Sequence, residues 1–416
     1  MTKLHVSPKC GDKTGDTLYQ SKEIRLDGST RNVSFTTPVV AMDVREIRRT
    51  DNIAPSAMGI NEIFRSPPTK NPSNMTRKEQ QLPPFHELVF NAEKQHQFNL
   101  DLHNQSSKLP GLSVFFFEYK GEKYPSEVER EFILDTQYSY SDITCLPLTP
   151  ILTKNLTKDA DFRDYLNFMK ECIEYLKSFN QKPIMGLIPN IAYGYLSDLI
   201  KLYVEKDVSA FCIDFDCHTP MSHKPALTKC YRVLMEYDHL DASFFYGLNV
   251  NSGHFIRNKP VVNAKDILSF GFGLDAMGKR HRTKIDFKKI KEKMGSRWVN
   301  LDREENKARL FIKNDYGYYK AEKADTIKNY PLDSSIPLSA FTDNFSVKNL
   351  NIRHFEKIFN MEQLGLEASK LRHIIEDDAP TKYLSKKQYV DPKDIKQIRG
   401  FKDSVANTQL SFEELL

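Results

Sequence analysis

The stretch "VSAFCIDFDCHTP", residues 208–220, decides how the chain is read. Val208 to Ile213 are almost all apolar, and two aspartates, Asp214 and Asp216, close the run before a polar loop begins. A strand that is apolar on both faces is one covered by helices on either side, as in a parallel sheet. The flanking segments agree. "YGYLSDLIKLYVEKD" (193–207) and "KPALTKCYRVLMEYDH" (224–239) have the three- and four-residue apolar spacing of amphipathic helices.

The same alternation extends outward. "SFTTPVVAMDVREI" (34–47), "GLSVFFFEY" (111–119), "SDITCLPLTPIL" (141–152), "KPIMGLIPN" (182–190), "ASFFYGLNVN" (242–251) and "AKDILSFGFGLDA" (264–276) read as further strands. Between two of them, residues 159–180 read as a helix whose inner face carries Phe162, Tyr165, Leu166, Met169, Cys172, Ile173 and Leu176. Parallel strands alternating with helices close in two ways, as an open doubly wound sheet or as an eight-stranded barrel. No G-x-G-x-x-G follows any of these strands, which removes the commonest dinucleotide signature of the open sheet. A span of roughly 250 residues suits a barrel. The reading is therefore α/β, a (β/α)8 TIM-like barrel over 35–285, with the seed stretch as its fifth strand.

The flanks look different. Residues 1–34 are polar and turn-rich, an arm or hairpin. Residues 50–110 are rich in Pro, Asn and Gln, with one short helical stretch near 86–97, and read as a surface insertion. Residues 286–416 form a charged, partly helical extension packed outside the barrel, loosely held from Asp377 onward. Hydrophobic residues at 40% and aromatics at 11% supply a sizeable core and argue against widespread disorder. A net charge of +5 is too mild to indicate nucleic acid by itself, so local clusters matter more. Six cysteines, at 10, 145, 172, 212, 217 and 230, show no disulfide framework and suit a reducing, cytoplasmic setting. The N-terminus lacks an apolar signal core, and no apolar run approaches the length of a membrane span.

A parallel barrel carries its reacting groups where strands finish. That rule selects Asp43, Glu118, Pro147–Thr149, Asn190, Asp214, Asp216, Asn249, Asn251 and Asp275. Asp214 and Asp216 are two apart, so on an inward face both carboxylates project toward the mouth, where like charges drive their pKa values apart. The plainer reading of Asp216 is a loop-ordering or helix-capping aspartate. A metal reading of Cys212, Cys217, His218 and His223 fails on spacing, because no second cysteine pair follows; no metal or cofactor is expected. "GLDAMGKRHRTK" (273–284) places Lys279, Arg280, Arg282 and Lys284 around His281 after the last strand, and "KKIKEK" (288–293) extends the charge. Cationic side chains at a mouth suit phosphate. His254, in "SGHF", is a further candidate phosphate contact or acid. No P-loop, H-E-x-x-H or G-x-S-x-G occurs.

The order of these segments resembles the tRNA-guanine transglycosylase superfamily, including relatives that insert deazapurines into DNA. "FTTPVVAMDV" is similar to the opening "TP" strand, and "SDITCLPLTP" to the "DI-x-x-x-LD-x-P" strand. "IMGLIPNIAYGYLSDL" resembles the "VQGG" strand and its helix, and "AKDILSFGFGLDAMGKRHR" the "G-x-D-x-F-D" strand with its paired arginines. The likeness covers about residues 35–285. After Phe270, where the family's nucleophilic Asp is expected, stands Gly271, with Asp275 four residues on. Glu118 occupies the region of the family's second Asp, Pro189-Asn190-Ile191 replace the "QGG" glycines, and the Cys-rich zinc site is missing.

The resemblance implies a nucleobase-exchanging enzyme acting on guanine or a deazapurine in tRNA or DNA. Asp214, Asp216, Asp43 and Asp275 are the catalytic candidates. Gly186, Asn190 and Asn249 are expected to contact substrate, with Lys279, Arg280 and Arg282 on phosphate. Partners would be nucleic acid and a free nucleobase, with homo- or hetero-oligomers open. Two alternatives stand beside it: a catalytically silent barrel that binds nucleic acid or a partner subunit, and an unrelated barrel enzyme on a small phosphorylated metabolite.

Overall fold

A computed structural model describes residues 2–28, 32–69, 82–106, 109–179, 182–253, 259–282, 308–321, 327–342, 350–377 and 379–407. Three antiparallel strands open the chain: β1 (Lys3–Gly11), β2 (Gln20–Asp27) and β3 (Val33–Thr36). The expected arm is thus a small sheet. Alternation along β2 buries Ile24 and Leu26 on one face, which seats it against the core.

The barrel begins at β4 (Val39–Asp43) and continues through β5 (Ile60–Arg65). Helices α1 (Phe85–Phe90) and α2 (Ala92–Ser106) then lead to β6 (Leu112–Phe117). Next come α3 (Glu127–Tyr140), β7 (Ile143–Cys145), α4 (Pro150–Lys154), α5 (Asp159–Phe179) and β8 (Ile184–Ile188). The wall continues with α6 (Tyr193–Glu205), β9 (Ala210–Asp214), α7 (Lys224–Glu236) and β10 (Phe244–Leu248). After β11 (Val261–Asn263), which lies outside the wall, β12 (Ala276–Met277) pairs with both β10 and β4 and closes a ring of eight parallel strands. The (β/α)8 reading holds. Local sequence supports each turn of the wall; α3, for example, starts with a capping box in which Ser126 and Glu129 satisfy each other's backbone donors.

Two expectations change. Strand β5 lies inside the stretch read as a surface insertion, so that stretch contributes wall, and β9 is the sixth barrel strand. The run "AKDILSFGFGLDA" is mostly a 3₁₀ turn, Ile267–Phe272, with only Ala276 at its end in a strand. Gly271 lies in that turn, where an added Cβ would come within 2.9 Å of both Ile398 and Tyr19. The glycine permits close packing on the flank of the barrel.

The extension completes the helical ring. Strands β13 (Arg309–Ile312) and β14 (Gly317–Lys320) pair with β11 as a second antiparallel sheet. They precede α8 (Ser339–Thr342), α9 (Leu350–Asp377), α10 (Pro380–Ser385) and α11 (Pro392–Ala406). No α-helix lies between β4 and β5, and α9 packs against β4 and the turn Pro55–Ala57 in that position. Gly365 allows the approach, since a Cβ there would meet the Ala57 carbonyl at 2.6 Å. Helix α11 packs on α7 and the 3₁₀ turn, burying Ile398, Phe401 and Val405, and Arg232 of α7 donates to the Ser404 carbonyl at 2.9 Å. Each such apolar side chain contributes about 1.5–3 kcal/mol when fully buried. The segment from Pro380 to Ala406 is therefore anchored, contrary to the loose end expected from its polarity. No helix among the described residues is long and apolar enough to cross a membrane.

Candidate functional site at the barrel mouth

The period of two sorts each strand's side chains into barrel-facing and helix-facing sets. On β5, Glu62 and Phe64 face inward, whereas Ile63 packs with Phe115 and Phe117 on the helix side. On β9 the inward pair is Cys212 and Asp214. Asp43, at the end of β4, and Glu118, just past the end of β6, complete a set of four buried carboxylates in the mouth.

The segment Gly278–Arg282 turns into this mouth and brings a polar partner to each. Lys279 Nζ lies 2.8 Å from Asp43 and 3.1 Å from Glu46. His281 Nε2 lies 2.6 Å from Glu62 Oε1. Arg282 donates through Nε to Glu118 and through Nη1 to Asp214 Oδ2, the latter at 2.6 Å, and its Nη1 is 3.8 Å from Asp216. Asn249 ties the arrangement together: its Nδ2 donates to Asp214 Oδ1 at 2.9 Å, and its Oδ1 accepts from the backbone N–H of His281 at 2.9 Å. Arg280 reaches sideways, donating to Asn251 Oδ1 at 2.9 Å.

Electrostatics follows this geometry. Burial raises the Asp43 carboxyl, but Lys279, His281 and Arg45 together overrule it and hold the group well below the usual carboxylate range. Glu46 is likewise penalised by burial, yet Lys279 and Lys357 bring it down to about 2. Glu118 resists its burial through Arg282 and is lowered. Lys279 and Arg282 are raised in turn, since their carboxylate partners outweigh desolvation. The pairing thus favours the ionised forms of Asp43, Glu46 and Glu118 and the charged forms of Lys279 and Arg282.

The backbone is bent where the mouth is built. Asp216 (φ +43°), Cys217 (φ +61°) and Asn249 (φ +59°) are all left-handed, at the ends of adjacent strands. Aspartate and asparagine visit this region readily, but cysteine does so at a cost. Cys217 is held there by its N–H to the Asn249 carbonyl at 3.1 Å and by Sγ donating to the Arg282 carbonyl at 3.1 Å. Such clusters of unfavourable backbone persist where the surroundings over-determine them and concentrate at functional sites.

Several sequence candidates thus meet: Asp43, Asp214, Asp216, Asn249, Lys279 and Arg282 form one cluster, with Arg280 at its edge. Asp216 accompanies Asp214, whose Oδ1 also accepts the Asp216 N–H at 3.0 Å. Asn190 is exposed in the loop leaving β8. Two candidates lie elsewhere. Gly186 faces away from the barrel axis, and a Cβ on it would meet the Tyr203 ring of α6 at 2.8 Å; its smallness serves packing. Asp275 precedes β12, at the opposite end of the barrel. There it pairs with fully buried Lys22 at 3.0 Å and accepts from the Phe245 N–H at 2.9 Å, fastening the N-terminal sheet to the floor. Lys284, the 288–293 run and His254 lie outside the described residues.

Sequence reasoning missed Glu62, His281 as its partner, and Tyr246, whose hydroxyl donates to Glu62 from inside the barrel. Glu62 sits in "INEIFR", where three polar residues hide the strand. Cys212 lies in the barrel interior, its thiol raised by burial and by neighbouring Cys145, whereas Cys217 belongs to the mouth. No group of three or more metal-ligating side chains gathers among the described residues. No protein-family model matches the chain, and no curated protein matches it.

Proposed function

We propose that the protein is a barrel enzyme that exchanges a nucleobase, guanine or a 7-deazapurine, within tRNA or DNA. The observation that carries this reading is the convergence of Asp43, Glu62, Glu118 and Asp214 from four different strands on one mouth, with Arg282 bridging two of them. Burying several charges in one place costs stability, and perturbed ionisable groups cluster at functional sites. The position at the carboxyl ends of barrel strands and a segment order that resembles the transglycosylases support the same chemistry.

In this reading Asp214 meets the anomeric carbon. Its oxygen forms a bond to C1′ as the C–N glycosidic bond breaks, and the electron pair leaves with the base. Asp216, a quarter exposed beside it, protonates the departing nitrogen and later takes the proton from the incoming base, whose nitrogen displaces the carboxylate. Lys279, Arg280 and Arg282 steer the polynucleotide, and the target nucleotide is extruded to reach the mouth. The free thiols suit a cytoplasmic setting. Asp275, buried against Lys22 at the opposite end of the barrel, takes no part in this reading.

The silent-barrel reading has one observation in its favour: Asp43, Glu62, Glu118 and Asp214 are all paired within the chain. Incubation with labelled guanine or 7-deazaguanine and either tRNA or duplex DNA separates the two. Incorporation into one substrate, lost in Asp214→Asn, is the expected result. Salt-sensitive polynucleotide binding with no incorporation into either supports the silent barrel.

A further inference from the structure

His281 holds an unusual place for a loop residue. Its imidazole lies parallel to the Phe64 ring, with centroids 4.0 Å apart and planes within 4°. Its Nε2 is 2.6 Å from Glu62 Oε1, and the two side chains are 2% and 0% exposed. Glu62 and Phe64 are two apart on β5 and share the inward face, so an aromatic shelf and a carboxylate acceptor are presented together by one strand. The second carboxylate oxygen is fixed by the Tyr246 hydroxyl, which sets the acceptor from below. The Lys279 N–H also points to this carboxylate, 3.3 Å from each oxygen. A flat ring on the shelf, with an in-plane N–H aimed at Glu62, is what the site accepts.

The geometry points to Phe64 and Glu62 as a binding site for a planar N–H heterocycle, a nucleobase, which the chain's own His281 fills in the closed state. Imidazole is the smallest ring of this kind. A guanine edge offers the same in-plane N–H beside an amine, and base–aromatic stacking tolerates any base face. Entry of the larger ring requires the Gly278–Arg282 segment to leave. Its side-chain holds include ion pairs from Lys279 and Arg282 to Asp43, Glu118 and Asp214, and a polyanion competes with these carboxylates for the two cations. The barrel is thus self-closed, and its apparent affinity for a free base is reduced by the fraction of molecules in which His281 is seated. The identity of the ring rests on the proposed base exchange; the shelf and its internal occupant stand without it.

The test is ligand-dependent thermal unfolding of the full chain with imidazole and with guanine as probes. His281→Ala should respond to both, with the midpoint rising as ligand is added and the apparent guanine affinity about tenfold or more tighter than in the unaltered protein. His281→Asn, which cannot stack but stays polar, gives the same reading if the alanine variant does not fold. Adding Phe64→Ala or Glu62→Gln should abolish the response, and His281→Phe, which keeps the shelf covered, should show none. Folded His281→Ala or His281→Asn responding no more than the unaltered chain overturns the site. A response to imidazole but not to guanine overturns the nucleobase as its ligand. Failure of base exchange in the polynucleotide assay, with guanine still binding to His281→Ala, counts against the reaction and leaves the site in place.

Discussion

Arg282 Nη1 lies 2.6 Å from Asp214 Oδ2, while Nε of the same guanidinium is bonded to Glu118. One cation from a loop therefore bridges carboxylates from two strands that are not neighbours in the barrel wall. Its forked, planar head supplies donors along two edges at once, which a lysine ammonium cannot reproduce. Removing it strands two buried carboxylates. Arg282→Met should cost roughly 3 kcal/mol or more, and Arg282→Lys a smaller but clear amount. Urea unfolding of both variants checks this; equal stability of all three proteins would mean that the bridge contributes nothing.

Acid should loosen the mouth. Asp43, Glu46 and Glu118 all have folded-state pKa values below their ordinary ones. A depressed carboxyl gives stability that is complete above its unfolded pKa and lost as the pH falls through the folded one. The unfolding midpoint should therefore be insensitive to these groups above about pH 5 and decline from about pH 4 downward. In Lys279→Met, which removes the cation shared by Asp43 and Glu46, part of that decline should be absent because the loss is already present near neutrality.

The floor pair behaves differently. Lys22 and Asp275 are fully buried, and burial pushes the Asp275 carboxyl upward despite the lysine beside it. Lys22→Met leaves an unpaired carboxylate and should destabilise by about 3–5 kcal/mol at neutral pH. Asp275 can relieve this by taking a proton, so the penalty should shrink as the medium is made mildly acidic. A penalty independent of pH would show that Asp275 is neutral even in the intact pair.

Gly186 offers a control on the site's boundary. With the Tyr203 ring 2.8 Å from where its Cβ would lie, Gly186→Ala should lower stability by about 1–3 kcal/mol through overpacking. Base binding by the folded fraction should not change. A selective loss of binding with no loss of stability would return Gly186 to the site.

The barrel was legible because buried parallel strands leave largely apolar runs, as in "AFCI" (210–213) and "LSVFFF" (112–117), separated by helices of clear period. Strand ends were legible for the same reason, and Asp43, Asp214 and Asn249 follow from them. Strand β5 was not, because Asn61, Glu62 and Arg65 are buried by pairing with side chains and carbonyls that only the fold supplies. β12 has two residues, too few for any period. The glycine at 271 sits where tertiary contacts with Ile398 and Tyr19, distant in the chain, set the spacing. Charge alone did not reveal the internal partners: the cluster 279–282 reads as phosphate contacts at the mouth, and only the closed ring brings carboxylates within reach of Lys279 and Arg282.

The central claim is that a mouth carboxylate bonds to the sugar during base exchange. Denaturing separation of the protein after incubation with a saturating polynucleotide, followed by mass mapping of any adduct, tests it most directly. The account predicts a nucleic-acid adduct on Asp214 that disappears in Asp214→Asn and when excess free guanine is added. An adduct on a residue outside the mouth, or none at all under saturating substrate, would contradict it.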